Sequence, residues 1–302
     1  MPAPAPLLIA DIPWLLYRSY FALPSSIVDG EGRPVNALLG TVNVLLGLID
    51  ARLPARRPRC VVACMGAEQA AYRVALYPAY HAHRDPMPVA LAEQWAKAPA
   101  LLGSLGWIVS ASETLEADDV MFSFARIEEA DGGDAQLVTG DRDLFAAVSD
   151  HVAVLELRKG SDPGEIGPAG VRERYGVDPE LVPDFIALRG DPSDGLPGAP
   201  GIGAKTAAEL LRRYGSLEGA LQAAQTLAEL VRRGDGAMRP RTAASLRENE
   251  ELLRTFKQIA TMQLIDVQRP ADRKTDFAAG ALAARELGMR RLAERLEKMA
   301  GA

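Results

Sequence analysis

Along the first 160 residues, short, continuously apolar runs alternate with stretches of helical periodicity. Residues 7–10 form such a run and stop at Asp11; residues 60–65 read CVVACM before Gly66. Residues 107–110, 135–139 and 152–157 behave alike. Apolar runs without alternation predict strands covered on both faces. Between them, residues 35–49, 91–105 and 117–130 carry a helical repeat, the second expected to bend or break at Pro99 and to close at Gly106. A further helix is expected to begin over residues 143–148. Strands alternating with helices predict a parallel α/β sheet. Such sheets bind ligands beyond the carboxyl ends of their strands, where Asp11 and Asp141 fall.

From about Pro168 the strand signal stops. Residues 171–175, 179–188, 204–214, 216–231 and 240–259 read as helices separated by Gly and Pro. The expected division is a sheet unit over residues 1–163 and an all-helical unit over residues 164–302. Residues 83–90 (HRDPMPVA) are expected to be a mobile stretch between helical patterns.

Composition narrows the classes. A chain of 302 residues with 48% hydrophobic and 25% charged residues is an ordinary globular sequence, not a disordered one. No run approaches the length of a membrane span, and MPAPAPLLIA lacks the basic start of a secretory signal. Two cysteines make no disulfide framework, so a cytoplasmic location is expected. The net charge of −6 taken alone argues against a nucleic-acid partner. Its distribution changes that. Residues 1–159 carry 13 basic and 19 acidic groups, whereas residues 160–302 carry 21 of each. The surplus includes tight groups: Asp11, then Glu116, Asp118 and Asp119, then Asp141 and Asp143, with Asp191 and Asp194 following in the neutral half.

Each group alone also fits a plainer role, as first-turn acids, a helix cap or a turn. Gathered at strand ends, they would repel one another unless a cation intervened. Hard oxygen ligands select Mg²⁺ or Mn²⁺ over zinc, and such ions between carboxylates and phosphate suit phosphodiester hydrolysis. The segment Pro197-Gly198-Ala199-Pro200-Gly201-Ile202-Gly203-Ala204-Lys205-Thr206 fails the Walker spacing by one residue and follows no strand. It reads instead as a helix–hairpin–helix whose Gly201 and Gly203 amides face a phosphate, with Lys205 beside it. Cys60 and Cys64, four apart on a strand, would lie about 13 Å from each other and cannot share a zinc ion.

In combination these motifs resemble the bacterial 5′-nuclease family, the 5′-3′ exonucleases and flap endonucleases similar to the N-terminal domain of DNA polymerase I. The resemblance rests on Ile9-Ala-Asp11 with Tyr17-Arg18, Glu116-Ala-Asp118-Asp119-Val120, Thr139-Gly-Asp141-Arg-Asp143-Leu144, Gly190-Asp191-Pro-Ser-Asp194-Gly-Leu-Pro-Gly198 and the hairpin Gly201–Ala207. It implies a PIN-like parallel-sheet nuclease core, a helical arch near residues 72–105, and an all-helical helix-3-turn-helix module gripping duplex DNA. By this resemblance Asp11, Glu116, Asp118 and Asp119 would hold one divalent ion, and Asp141, Asp143, Asp191 and Asp194 a second. Arg73, His81 and Arg84 would position the phosphate, and Arg18, Gly201, Gly203, Lys205 and Thr206 would contact DNA. A potassium-type cation is implied at the hairpin. The expected partner is DNA with 5′ ends, flaps or branches, bound by a monomer without membrane or small-molecule cofactor.

Two positions depart from the family pattern. Gly66 stands where a metal-binding Asp is expected, with Glu68 nearby, and His81 replaces an arch Lys. A slower enzyme follows, or a paralogue that binds branched DNA and rarely cuts it. A PIN-type ribonuclease is a third reading, disfavoured by the hairpin.

Overall fold

The computed structural model describes residues 5–49, 57–157, 163–226 and 238–301. Six strands form one sheet in the order β3-β2-β1-β4-β5-β6: β1 Leu7–Asp11, β2 Cys60–Met65, β3 Ile108–Ala111, β4 Ala135–Val138, β5 Val152–Glu156 and β6 Gly164–Ile166. The first five are parallel; β6 pairs antiparallel with β5. Every residue of β1 and β2 is buried, as continuous apolar runs require when helices cover both faces. The chain order reverses at β1, which pairs with β2 on one side and β4 on the other. The loops leaving β1 and β4 therefore open a crevice at the carboxyl edge.

Helices cover both faces of the sheet. On one pack α1 Ile12–Ala22, α2 Asn36–Ile49 and α4 Val89–Ser104; on the other α5 Ala117–Ala130 joins a core that continues into the helical half. The short α3 Ala71–Leu76 precedes α4, which runs unbroken through Pro99. The helix expected from Asp143 is a single 3₁₀ turn, Asp143–Ala147, ended by Val148 in extended conformation.

The helical half comprises α6 Pro168–Tyr175, α7 Val182–Arg189, α8 Ala204–Tyr214, α9 Leu217–Gln225, α10 Pro240–Glu248 and α11 Glu250–Ala260. The helix expected over 240–259 divides at Asn249, whose side-chain amide donates to the Ser245 carbonyl at 2.8 Å and satisfies the end of α10. The helix expected over 216–231 is seen to Gln225; residues 227–231 lie outside the described residues.

Residues 261–276 return along the sheet unit. The Gln263 amide donates to Asp119 at 2.7 Å, Arg269 pairs with buried Glu128 at 2.9 Å, and the Asp276 amide donates to the Leu105 carbonyl at 2.8 Å. The last helices, α12 Phe277–Glu286 and α13 Arg290–Ala300, then bury Ala284, Leu292 and Leu296 in the core shared with α2 and α4. Although they follow residue 164, they pack on the sheet unit. Among the described residues no helix is long and apolar enough to cross a membrane.

Candidate active site

Asp11 ends β1 and caps α1, accepting from the Trp14 amide at 3.0 Å. Its other oxygen accepts from the Thr139 hydroxyl at 2.8 Å. The Thr139 oxygen in turn accepts from the Asp141 amide at 3.0 Å, and Asp141 accepts from the Asp143 amide at 2.9 Å. One threonine thus ties the ends of β1 and β4 together and sets two acids beside each other. Trp14 closes the joint: a Cβ on Gly140 would lie 2.4 Å from its indole ring.

Burial, and secondarily the neighbouring acids, keeps these carboxyls from ionising freely. Asp11 is pushed up to about 6 by burial, against the lowering effect of its hydrogen bonds. Asp141 is pushed up to about 7 by burial and then by Asp194. Asp118 rises well above the usual carboxylate range through burial and the charges of Asp141 and Asp11; Asp143 does so through burial, Asp141 and Asp194. Asp118 accepts no hydrogen bond among the described residues. Asp191 accepts from the Ser193 amide at 2.8 Å and from its hydroxyl. Asp194 faces His81 Nε2 at 2.9 Å and Arg84 Nη2 at 3.3 Å.

Asp119 and Arg73 take different places from those expected. Asp119 is fully buried and forms a two-pronged pair with the Arg73 guanidinium, both contacts at 2.8 Å. Arg73 Nε also donates to the Ile259 carbonyl at 3.0 Å. These two groups are spent on each other, joining α3, α5 and the end of α11. Arg73 nevertheless lines the cleft. Glu116 is similarly engaged, accepting from the Ala70 amide at 2.8 Å and the Tyr80 hydroxyl at 3.0 Å, with Arg73 at 3.4 Å. It still lines the cleft.

His81 is also less open than expected. It is 2% exposed, holds φ at +54°, and stacks on Tyr80 with ring centroids 3.8 Å apart. Nε2 is committed to Asp194, and Nδ1 is buried without a partner among the described residues. Arg84 keeps a half-exposed guanidinium. At Gly66 the geometry explains the missing acid: a Cβ there would fall 2.5 Å from the Ala117 nitrogen and 2.6 Å from the Leu115 carbonyl oxygen. The backbone of residues 115–117 occupies the space a side chain would need. Glu68 accepts from the Tyr17 hydroxyl at 2.9 Å and lines the cleft. Gly66→Asp is therefore expected to cost about 1–3 kcal/mol of stability through overpacking. Thermal melting checks this; an unchanged melting temperature would contradict it.

The loop after α7 is folded on itself. Gly190 and Gly198 have φ of +84° and +67°, and a Cβ on Gly198 would meet the Gly190 nitrogen at 2.3 Å. This close approach presents Asp191 and Asp194 to the cleft. Beyond it, Ile202 is buried and the Ser245 hydroxyl donates to the Pro200 carbonyl at 2.7 Å, anchoring the hairpin. Gly201, at φ +77°, and Gly203 have open space where a side chain would be. Gly203 precedes α8 without a side-chain cap, which leaves the first amides of α8 uncapped by any side chain; Lys205 is exposed and Thr206 half-buried beside them. Arg18 is exposed, its guanidinium 5.7 Å from the Trp14 ring centre.

Asp11, Glu116, Asp118, Asp141, Asp143, Asp191 and Asp194, but not Asp119, line one cleft of about 1380 Å³, together with Tyr80, Arg142, Arg189 and the aromatic face of α1. Arg189, 3.5 Å from Asp191, and Arg142 escaped the sequence reading because single arginines carry no spacing signal. Thr139 lay inside a motif, but its bridging role depends on strand pairing. Among the described residues, no three carboxylate, imidazole or thiol groups converge closely enough to hold one ion. The donor set is nevertheless all-oxygen and crowded with acids, as hard divalent ions require.

Two family models match consecutive stretches of the chain: the 5′-3′ exonuclease N-terminal resolvase-like domain over residues 6–176 and the 5′-3′ exonuclease C-terminal SAM fold over residues 177–277. A 5′-3′ exonuclease of Mycobacterium tuberculosis is 34% identical over 307 residues, covering 95% of this chain and 93% of its own. One of Streptomyces coelicolor is 40% identical over 232 residues, covering 72% and 74%. DNA polymerase I of Mycobacterium bovis is 36% identical over 271 residues; the match covers 88% of this chain but 29% of the polymerase. Among solved structures, the bacteriophage T5 flap endonuclease in a pseudo-enzyme–product complex with DNA and metal ions superposes with a TM-score of 0.65 at 18% identity, covering 98% and 99% of the two chains. The catalytic core of Rad2 with a DNA substrate gives 0.63 at 12% identity, covering 99% and 92%. These two likenesses are of fold.

Proposed function

The chain belongs to the 5′-3′ exonuclease family, and from that premise we propose that it hydrolyses DNA phosphodiester bonds at 5′ ends and 5′ flaps with divalent ions, Mg²⁺ or Mn²⁺, in the acid cleft. The observation that carries this reading is the gathering in one cleft of Asp11 from the end of β1, Asp118 from the first turn of α5, and Asp141 and Asp143 from the segment after β4. Acids so placed are poised to lose protons to a cation.

Asp11, Asp118 and Asp141 would hold one ion and Asp143, Asp191 and Asp194 a second, in part through bridging water because the described carboxylates do not converge closely enough to do so alone, with Glu116 at the rim. When bound, such ions supply an acidified water and charge stabilisation for the leaving oxygen. The chain does the placing. Thr139 fixes Asp11 against Asp141, the Gly190–Gly198 fold presents Asp191 and Asp194, and Arg84 offers the arch-side guanidinium to a phosphate. Arg18 and the uncapped start of α8 with Lys205 and Thr206 would hold the duplex backbone, without reading bases. A monovalent cation at Gly201–Gly203 fits the same reading. A labelled 5′-flap duplex with Mg²⁺ or Mn²⁺ tests it by product formation.

A second reading, a DNA-branch binder that cuts slowly, is favoured by Gly66 and by the commitment of His81 to Asp194. Neither feature touches the hairpin, so binding would survive where turnover is weak.

The raised carboxyls also set a pH dependence. Asp11 and Asp141 bind protons more tightly folded than unfolded, so their contribution to stability falls as pH rises from about 4 to about 7. In EDTA the melting temperature is expected to decline between pH 5 and pH 8, and divalent ions should restore it at pH 8. A rise with pH in EDTA would count against the acid cluster.

A further inference from the structure

The acid cleft has a second wall of different chemistry. Trp14, Tyr17 and Phe21 recur at i, i+3 and i+7 on α1, and all three line the cleft. One helix thus carries an acid at its cap and an aromatic stripe leading away from it. Phe21, the outermost, is 72% exposed. It is also seated: it stacks on Tyr17 with ring centres 6.4 Å apart and 29° between planes, and meets Tyr20 edge-on at 5.2 Å. Such a ring is held in place yet open to solvent. Met87 and Trp95 line the same cleft.

Positive charge at this end comes mainly from Arg18, exposed on α1. Of the arginines lining the cleft, Arg73 is buried against Asp119, Arg84 leans on Asp194, and Arg142 and Arg189 belong to the acid-bearing loops. No lysine precedes Lys97. A strand passing here would meet Arg18 for a phosphate and, beside it, a ready surface for a base. Aromatic faces take any base, because every base has a π face.

Resting on the DNA-nuclease reading above, the geometry points to Phe21 as a stacking seat for one base of the unpaired 5′ strand. α1 rises about 1.5 Å per residue, which puts Phe21 about 15 Å along the helix from Asp11. That distance corresponds to about four stacked nucleotides, so the base seated is several positions from the cut. Cleft and acids together would then distinguish a flap from a plain duplex by a contact that salt does not screen.

The test uses 5′-flap DNA with 2-aminopurine placed in turn at the first few unpaired positions, bound in Ca²⁺. Stacking quenches 2-aminopurine, so the full-length protein should quench one or two of these positions. Phe21→Ala should abolish that quenching and weaken flap binding by about 5- to 100-fold, while Phe21→Trp keeps both. With an abasic nucleotide at the quenched position, Phe21→Ala should cost nothing further. An exposed ring contributes little to the fold, so melting temperature should be unchanged. Quenching that survives Phe21→Ala, or an affinity loss undiminished by the abasic site, overturns the seat. Phe21-dependent quenching of a flap-free duplex end overturns it too, by giving the ring to the duplex. Failure of the underlying reading looks different: the unmodified protein would then bind neither flap nor duplex.

Discussion

Asp141→Asn is expected to lower flap cleavage on the order of 10³-fold, the scale of removing one well-placed electrostatic group. The same change should raise the melting temperature of the metal-free protein at pH 8. Asp141 is held among Asp11, Asp191 and Asp194, and its carboxyl is pushed up to about 7 by burial and their charges. At pH 8 it is ionised at a cost to the fold, and a neutral amide of the same shape removes that cost. Asn also keeps an oxygen for the Asp143 amide, so the 3₁₀ turn after β4 should survive. Loss of activity with gain of stability marks a residue placed for a ligand rather than for the fold. A fall in both would mean that Asp141 serves the structure.

The neighbouring acids Asp118 and Asp119 should behave oppositely. Asp119→Asn leaves the buried Arg73 charge without its partner, which is expected to cost about 3–5 kcal/mol and several degrees of melting temperature. The Gln263 amide would also lose a charged acceptor at the start of the returning segment. Asp118→Asn breaks no hydrogen bond among the described residues and relieves repulsion from Asp141 and Asp11. It should leave the fold intact and remove activity. Thermal melting and flap cleavage of both variants check the contrast. A stable, inactive Asp119→Asn together with an unstable Asp118→Asn would reverse the assignment.

That contrast also shows where sequence stopped being informative. The ends of β1 and β4 were readable because apolar runs abut acids directly. The group Glu116, Asp118 and Asp119 was readable as acids at the start of a helix. Spacing could not say what each of them meets. Arg73, on another element, takes both oxygens of Asp119 in a buried ion pair. His81 is a similar case: its motif position suggested a phosphate contact, but a left-handed backbone and burial turn its ring toward Asp194. β6 is too short to show a period, and the break at Asn249 depends on one side chain capping a carbonyl. Helices α12 and α13 fall in the half expected to be all-helical, though neither is predicted individually, and their return to α4 follows from anchors far apart in sequence, such as Arg269 on Glu128. Gly66 was visible as a departure, and only the approach of residues 115–117 gives its reason.

The most direct test of the account is cleavage of a 5′-labelled flap duplex by the purified chain, with Mg²⁺, with Mn²⁺ and with EDTA, beside Asp141→Asn. The account predicts release of short 5′ products that requires a divalent ion and disappears in the variant. Tight flap binding with no metal-dependent product, or equal cleavage by Asp141→Asn, would contradict it.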